Sequence, residues 1–241
     1  DAKTLDKITT GKSGGKFGVS IDQIDFDSIA NFTGIKLTTL SEHIGSQIVD
    51  HIQLISSYQK LVSLADKINS SLKTIQTLDF GGGFGVMDHS DKKLNFQDWQ
   101  NELNKLLKAK SYNILFEPGR YIVADSGELY TKVLYVKTSG NKRIIITDCS
   151  FSEYLRPALY DINPPIEVLN NSNDLDTYDI AGGICESTDF LAKDVSLPKV
   201  KQGDYIKLLN VGAYGSSMSS TYNSRPRPLE ILKNKEEYRV I

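Results

Sequence analysis

Cysteine is scarce: the 241 residues hold two, Cys149 and Cys185. Two thiols so far apart make no disulfide framework and fit a reducing compartment, so the expected location is cytoplasmic. No apolar run approaches 18 residues, which leaves no candidate membrane span. The chain starts at Asp1 and shows no signal-peptide pattern. An excess of one charge is missing too. With 28 Lys+Arg against 30 Asp+Glu the formal net charge is −2, and short basic clusters such as Lys105-Leu106-Leu107-Lys108 read as solvated helix faces. No nucleic acid or anionic membrane is expected as a partner, and no metal site is expected. Repeats and low-complexity tracts are absent. What remains is ordinary globular composition, 39% hydrophobic and 24% charged, in a chain long enough for one large domain or two modest ones.

The chain is organised around Leu78-Asp79-Phe80-Gly81-Gly82-Gly83-Phe84-Gly85. An apolar run, Ile75 to Phe80, reads as a buried strand that stops at three glycines. Such a turn can aim several N–H groups at one anion, usually a phosphate, or can be a plain glycine turn. Two more strands are expected, Ile35 to Leu40 and Tyr112 to Phe116. Between them lie two amphipathic helices, one with Ile52, Ile55, Tyr58, Val62, Ala65 and Ile68 on a stripe, the other with Phe96, Trp99, Leu103, Leu106 and Leu107. Residues 1–20 read as a loop and 21–32 as a short helix. Each strand ends in a polar constellation, where parallel α/β folds place their chemistry. After Gly127 the long helical patterns stop. Leu129–Lys137, Arg143–Thr147, Ile166–Leu169, Tyr178–Ile180 and Tyr205–Leu209 read as short strands. The expected division is an α/β part over 1–127 and a mainly β part over 128–241.

Taken singly, the polar residues leave two readings each. His43 and Ser46, just past a strand, can face an aromatic ring and a phosphate, or can be a packed histidine and a capping serine. Glu117 and Arg120 flank Pro118-Gly119. They can pair with each other, or serve one ligand with the acid on a protonated ring nitrogen and the arginine on an anion. Arg156 and Tyr160 can grip one carboxylate if their segment is helical, or the arginine can be a surface group. Cys185-Glu186-Ser187 suits proton transfer and amine binding, or is a structural cysteine with neighbours. Tyr214, after Gly212-Ala213, can reach a phosphate or merely pack.

Taken in order, the segments resemble one family. They are Lys16-Phe17-Gly18, His43-Ile44-Gly45-Ser46-Gln47, Gly81-Gly82-Gly83, Glu117-Pro118-Gly119-Arg120, Arg156-Pro157-Ala158-Leu159-Tyr160, Cys185-Glu186-Ser187 and Tyr222-Asn223-Ser224-Arg225-Pro226-Arg227-Pro228. The resemblance is to the fold-type III pyridoxal-phosphate (PLP) decarboxylases of the alanine racemase/ornithine decarboxylase-like fold, and within them to the diaminopimelate decarboxylases. It implies an α/β fold: the last three strand–helix units of a PLP-binding TIM-type (β/α)8 barrel, then a mainly β, Greek-key-like barrel domain. It implies that His43 stacks on the pyridine ring, that Glu117 keeps the ring nitrogen protonated, and that Ser46, Gly81, Gly82, Gly83 and the Arg120 region hold the phosphate, closed by Tyr214. Arg120, Arg156 and Tyr160 would hold the far carboxylate of the substrate. Glu186, with Ser187 nearby, would take its far ammonium, and Cys185 would protonate the carbanion. The implied reaction is decarboxylation of meso-2,6-diaminopimelate to L-lysine and CO2, the last step of lysine biosynthesis, in a homodimer whose Cys-Glu loop reaches the partner's site.

The sequence departs from that family in one large respect. The Schiff-base lysine of its first barrel strand, in a Tyr-Ala-Val-Lys-Ala-Asn-like segment, has no counterpart, and a complete barrel needs about 250 residues. The chain therefore reads as a fragment whose activity alone is doubtful. Ser41-Glu42 stands where many members carry His-Cys. Two other readings stay open: another decarboxylase of this architecture, acting on ornithine, arginine or carboxynorspermidine, or a non-catalytic ligand-binding remnant.

Overall fold

A computed structural model describes residues 9–11, 14–86 and 93–241. The chain divides into two compact units, 1–122 and 123–241. The sequence placed the division near 127; a short helix, α4 (Gly119–Val123), and a 3-10 turn to Ser126 continue the α/β texture to that point. Of the loop expected over 1–20, residues 1–8, 12 and 13 lie outside the described residues. The helix expected over 21–32 is a 3-10 turn, Ile21–Gln23, and a short helix α1 (Phe26–Ala30) capped by the Asp25 carboxylate.

The first unit is a parallel sheet, β1 (Thr39–Ser41), β2 (Thr77–Asp79) and β3 (Asn113–Leu115), in that order, with Leu40, Leu78 and Ile114 in register. Helices α2 (His51–Asn69) and α3 (Phe96–Leu107) connect the strands. Both begin at a side-chain cap. Asp50 accepts from the Ile52 amide at 2.9 Å, and Asn95 accepts from Gln97 and Asp98, which satisfies amides that a first turn leaves open. Asn69 then ties the end of α2 to β2 by a two-way bond with the Ile75 backbone. The core between sheet and helices is aromatic. Tyr58 stacks on Phe80 at 4.1 Å between centroids, and Trp99 meets Phe84 edge-on at 5.6 Å. Each such ring contributes about 2–3 kcal/mol by burial.

Two expectations change here. The strand expected from Ile35 starts only at Thr39, where the register with β2 begins; Ile35 is 70% exposed, and just ahead of the strand the Thr38 carbonyl accepts from the Gln76 and Thr77 amides. Ile52 is 66% exposed, although the stripe included it. It lies in the first turn, and the buried face of α2 runs instead through Leu54, Ile55, Tyr58, Leu61, Val62, Leu64, Ala65 and Ile68.

The second unit is a six-stranded mixed sheet in the order β6-β9-β4-β5-β7-β8. Its strands are β4 (Leu129–Ser139), β5 (Lys142–Thr147), β6 (Ile166–Val168), β7 (Leu175–Ala181), β8 (Phe190–Pro198) and β9 (Tyr205–Leu208). Only β5 and β7 pair in parallel. Long β4 serves two neighbours, β9 along its first half and β5 along its second, with a register shift between Val133 and Tyr135; such an irregularity bends a strand. The edge strands β6 and β8 touch, so the sheet is a nearly closed barrel. Val133, Ile145, Ile180, Leu191, Ile206 and Leu208 fill it. Strand β8 had no clear signal in the sequence: Lys193, Asp194 and Ser196 interrupt its apolar pattern. A separate exposed hairpin, β10 (Ile231–Asn234) and β11 (Glu237–Val240), follows. Among the described residues no helix is long and apolar enough to cross a membrane.

Candidate cofactor and substrate site

The loops after β1, β2 and β3 meet at one end of the parallel sheet. The glycine turn is wedged between its neighbours: a Cβ on Gly81 would run into the Glu42 carbonyl, one on Gly82 into the Glu117 carbonyl, and one on Gly83 into the Gly45 carbonyl. Gly81 and Gly83 also have positive φ, 62° and 89°, so these positions require glycine for both space and conformation. The Gly81 amide donates to Asp79 at 2.8 Å and the Gly82 amide to Nδ1 of His43 at 3.2 Å. Neither is left for a ligand. The Gly83 amide has no partner among the described residues.

Because Nδ1 of His43 accepts, the neutral ring carries its proton on Nε2, and the exposed imidazole is held with its orientation set by the glycine turn. The Glu117 amide donates to the Gly81 carbonyl at 2.7 Å, while its exposed carboxylate has no partner among the described residues. Glu117 is therefore not paired with Arg120. Arg120 instead donates from Nε to Ser46 Oγ at 3.2 Å. His43, Ser46, Gly81–Gly83, Glu117 and Arg120 thus form one linked group within the first unit: an imidazole, an open carboxylate, a hydroxyl, a guanidinium and an open amide. Such donors suit a phosphate, and the carboxylate suits a protonated ring nitrogen.

Glu42, beside His43, adds a buried acid. Ser57 donates to its Oε2 at 2.7 Å, and its Oε1 is buried with no partner. Burial pushes its carboxyl up to about 7, against the lowering effects of Ser57 and Lys60.

The other expected residues belong to the second unit. Arg156 and Tyr160 are the ends of a one-turn helix, α5 (Arg156–Tyr160), with the guanidinium carbon 5.9 Å from the Tyr160 ring. Arg156 is only 6% exposed, and its Nε has no hydrogen-bond partner among the described residues. Asp161, at φ 56°, ends the helix in the left-handed region, and the following Asn163 is tied to the Lys193 backbone by a two-way bond. Cys185, Glu186 and Ser187 are exposed in the loop before β8. Asp189 ties that loop to the segment after β5, accepting from the Phe151 and Ile184 amides at 2.8 Å each, while Ser150 Oγ accepts from Gly183. Tyr214 is half exposed and sits at φ 62°, a conformation uncommon for a bulky residue and one that marks functional sites. Its neighbour Gly215 is fitted against the Val211 carbonyl. The buried thiol is Cys149, raised well above the ordinary thiol range by desolvation; it is structural.

Tyr222 donates to Glu186 at 2.7 Å and lies on the Phe151 ring, while Arg225 pairs with Glu153. Tyr222 and Arg225 lie in the Tyr222–Pro228 run quoted for the resemblance, which assigned neither residue a role. Their partners are 36 and 72 residues away, a pairing that local pattern does not encode.

Residues 38–212 match the family model described as pyridoxal-dependent decarboxylase, C-terminal sheet domain. The diaminopimelate decarboxylase of Helicobacter pylori is 38% identical over 100% of this chain and 60% of its own length. A crystal structure of that enzyme complexed with L-lysine superposes with a TM-score of 0.88 at 38% identity, again over 100% of this chain and 60% of that one. A Vibrio vulnificus lysine/ornithine decarboxylase complexed with cadaverine gives a TM-score of 0.77 at 23% identity, over 88% of this chain and 59% of that one, which shows the shared fold. The chain spans about 60% of the length of the curated relatives it matches. With parallel strands ending in this linked group, a nearly closed β barrel after them, and a family model covering both, the chain belongs to the pyridoxal-dependent decarboxylases.

Proposed function

We propose that this chain is the cofactor- and substrate-binding portion of a diaminopimelate decarboxylase, which converts meso-2,6-diaminopimelate to L-lysine and CO2. The observation that carries the reading is Arg156, buried beside Tyr160 with an unmatched Nε, in a chain whose full length matches relatives of that name. A buried guanidinium suits a second carboxylate. Ornithine offers an ammonium at that end, which a cation rejects.

The first unit takes the cofactor. His43 offers its ring face, Glu117 holds a proton on the ring nitrogen, and Ser46, Gly83 and the Arg120 segment receive the phosphate. Gly81 and Gly82 shape the turn rather than donating. Pyridoxal phosphate, when bound, supplies an electron sink for the pair left as CO2 departs. The second unit takes the substrate. Arg156 and Tyr160 hold the far carboxylate, Glu186 receives the far ammonium with Ser187 nearby, and Cys185 Sγ delivers a proton to the carbon that has lost CO2. The exposed Cys185–Ser187 loop is available to a second copy, so the reading includes a cytoplasmic homodimer with shared sites.

The experiment is decarboxylation of meso-diaminopimelate with PLP added, run on the complete gene product and on this chain. Lysine from diaminopimelate, with ornithine and arginine inert, supports the reading. PLP absorbance that borohydride does not fix covalently, with no lysine formed by either sample, overturns it in favour of a ligand-binding remnant.

A further inference from the structure

Tyr222, Asn223, Ser224 and Arg225 form a tight reversal, with Asn223 and Ser224 both left-handed, at φ 55° and 58°. Two consecutive non-glycine residues in that region persist only where their surroundings hold them. Both ends of the reversal are held. At one end the Arg225 guanidinium makes a two-point contact with Glu153, Nε to Oε1 at 2.9 Å and Nη2 to Oε2 at 3.3 Å, and also donates to the Asp148 carbonyl. Glu153 is only 8% exposed. Its carboxylate takes two more donors from its own loop, the Ser150 amide at 2.7 Å and the Ser152 hydroxyl at 2.9 Å. At the other end the Tyr222 ring rests on Phe151, centroids 5.6 Å apart, and its hydroxyl donates to Glu186 Oε1 at 2.7 Å.

The loop that carries Cys185 and Glu186 is fixed to the same segment. Ser150 and Asp189 tie it down on either side of Glu186, and a Cβ on Gly182 would strike both of them. The backbone of Glu186 is thereby placed, but its long side chain is exposed, and the one side-chain bond that orients it comes from Tyr222.

We propose that the Arg225–Glu153 pair is a strut that sets Tyr222 over Glu186, so that Tyr222 and Arg225 are positioning residues for the Glu186 carboxylate. A bidentate guanidinium–carboxylate contact fixes direction as well as distance, and the reversal passes that fixed direction to the tyrosine. What Glu186 receives rests on the reading above; the strut itself does not.

The test is a titration of the Tyr222 phenol in the whole chain, by NMR of protein labelled at tyrosine Cζ, with the resonance assigned by its loss in Y222F. The bond to Glu186 raises the Tyr222 phenol above its ordinary range. E186Q brings it down. If the strut holds, R225A brings it down equally, and R225K, which keeps the charge but not the two-point grip, brings it part of the way. Circular dichroism establishes which variants fold. An unshifted Tyr222 in a folded R225A, or in R225K where R225A does not fold, overturns the proposal. A pair that only stabilises the unit would change the melting temperature and leave this resonance where it was. Calorimetry with L-lysine separates the two readings: about tenfold weaker binding in E186Q and R225A alike supports both. Unchanged lysine affinity in E186Q, with the Tyr222 phenol lowered equally in E186Q and R225A, overturns the ammonium assignment and leaves the strut supported.

Discussion

The amide of Gly82 donates to Nδ1 of His43 at 3.2 Å, across 39 residues of sequence. That bond makes the glycine turn the device that orients the imidazole. Gly82→Ala would drive a Cβ into the Glu117 carbonyl, displacing the turn and the loop after β3 together. The expected result is at least about tenfold weaker PLP binding, equivalent to about 1.4 kcal/mol. Absorbance titration with PLP measures it, and an unchanged dissociation constant would remove the turn from the cofactor site.

Ser46 and Arg120 form the second cross-strand link of the cradle. On the proposed reading Ser46→Ala deletes a hydroxyl that receives the phosphate, at an expected cost of about 1–2 kcal/mol, or roughly 5- to 30-fold in PLP affinity. Pyridoxal lacks the phosphate and should bind both proteins equally. Equal losses for PLP and pyridoxal would mean that the serine serves the fold and not the phosphate.

On the function proposed above, Arg156 separates ligands by their carboxylate. Arg156→Ala should weaken L-lysine on the order of 100-fold, in keeping with about 3 kcal/mol for removing one partner of a buried charge pair. Cadaverine is lysine without the carboxylate, and its affinity should not change. Calorimetry on the two ligands decides between a carboxylate grip and general packing, since packing loss lowers both.

Glu42 gives the protein a pH dependence with a defined sign. Its carboxyl titrates at about 7 when folded, against 4.5 for the ordinary group. Below 4.5 both states hold the proton and Glu42 adds no slope. Between 4.5 and 7 the folded state keeps a proton that the unfolded state has lost, so stability falls as pH rises. Above 7 the loss is complete, on the order of 2 kcal/mol. Asp66 and Glu128 are shifted the other way, so their contributions are lost on acidification, outside this window. Urea melts of the wild type and Glu42→Gln at pH 5 and pH 8 test it: the wild type should lose stability across the interval and the variant should not. Parallel curves would place the carboxylate in solvent.

Much of the first unit was legible because its signals are local. The stripe Ile55, Tyr58, Val62, Ala65, Ile68 is a 3.6-residue period, and it is buried in α2. The run Ile75–Phe80 stops at glycines because the chain there must pass between two carbonyls, which a side chain would block. The start of β1 was not legible, since Ile35 is as apolar as any strand residue yet is 70% exposed, and the register with β2 begins only at Thr39. Strand β8 was missed for the converse reason. Its Lys193 and Asp194 interrupt the pattern, and pairing with β7 sustains the strand.

The same contrast runs through the site. Residue types and their order along the chain fixed which chemistry was available: an imidazole, an open carboxylate, a glycine turn, two arginines and a thiol beside an acid. Those are properties of single short segments, and sequence carries them in full. Which group each donor faces was settled by folding. Gly81 and Gly82 spend their amides on Asp79 and His43, Arg120 turns to Ser46 and not to Glu117, and Arg225 reaches Glu153. Hydrogen bonds select partners by distance and angle, and only the packed chain brings residues dozens of positions apart within hydrogen-bond reach.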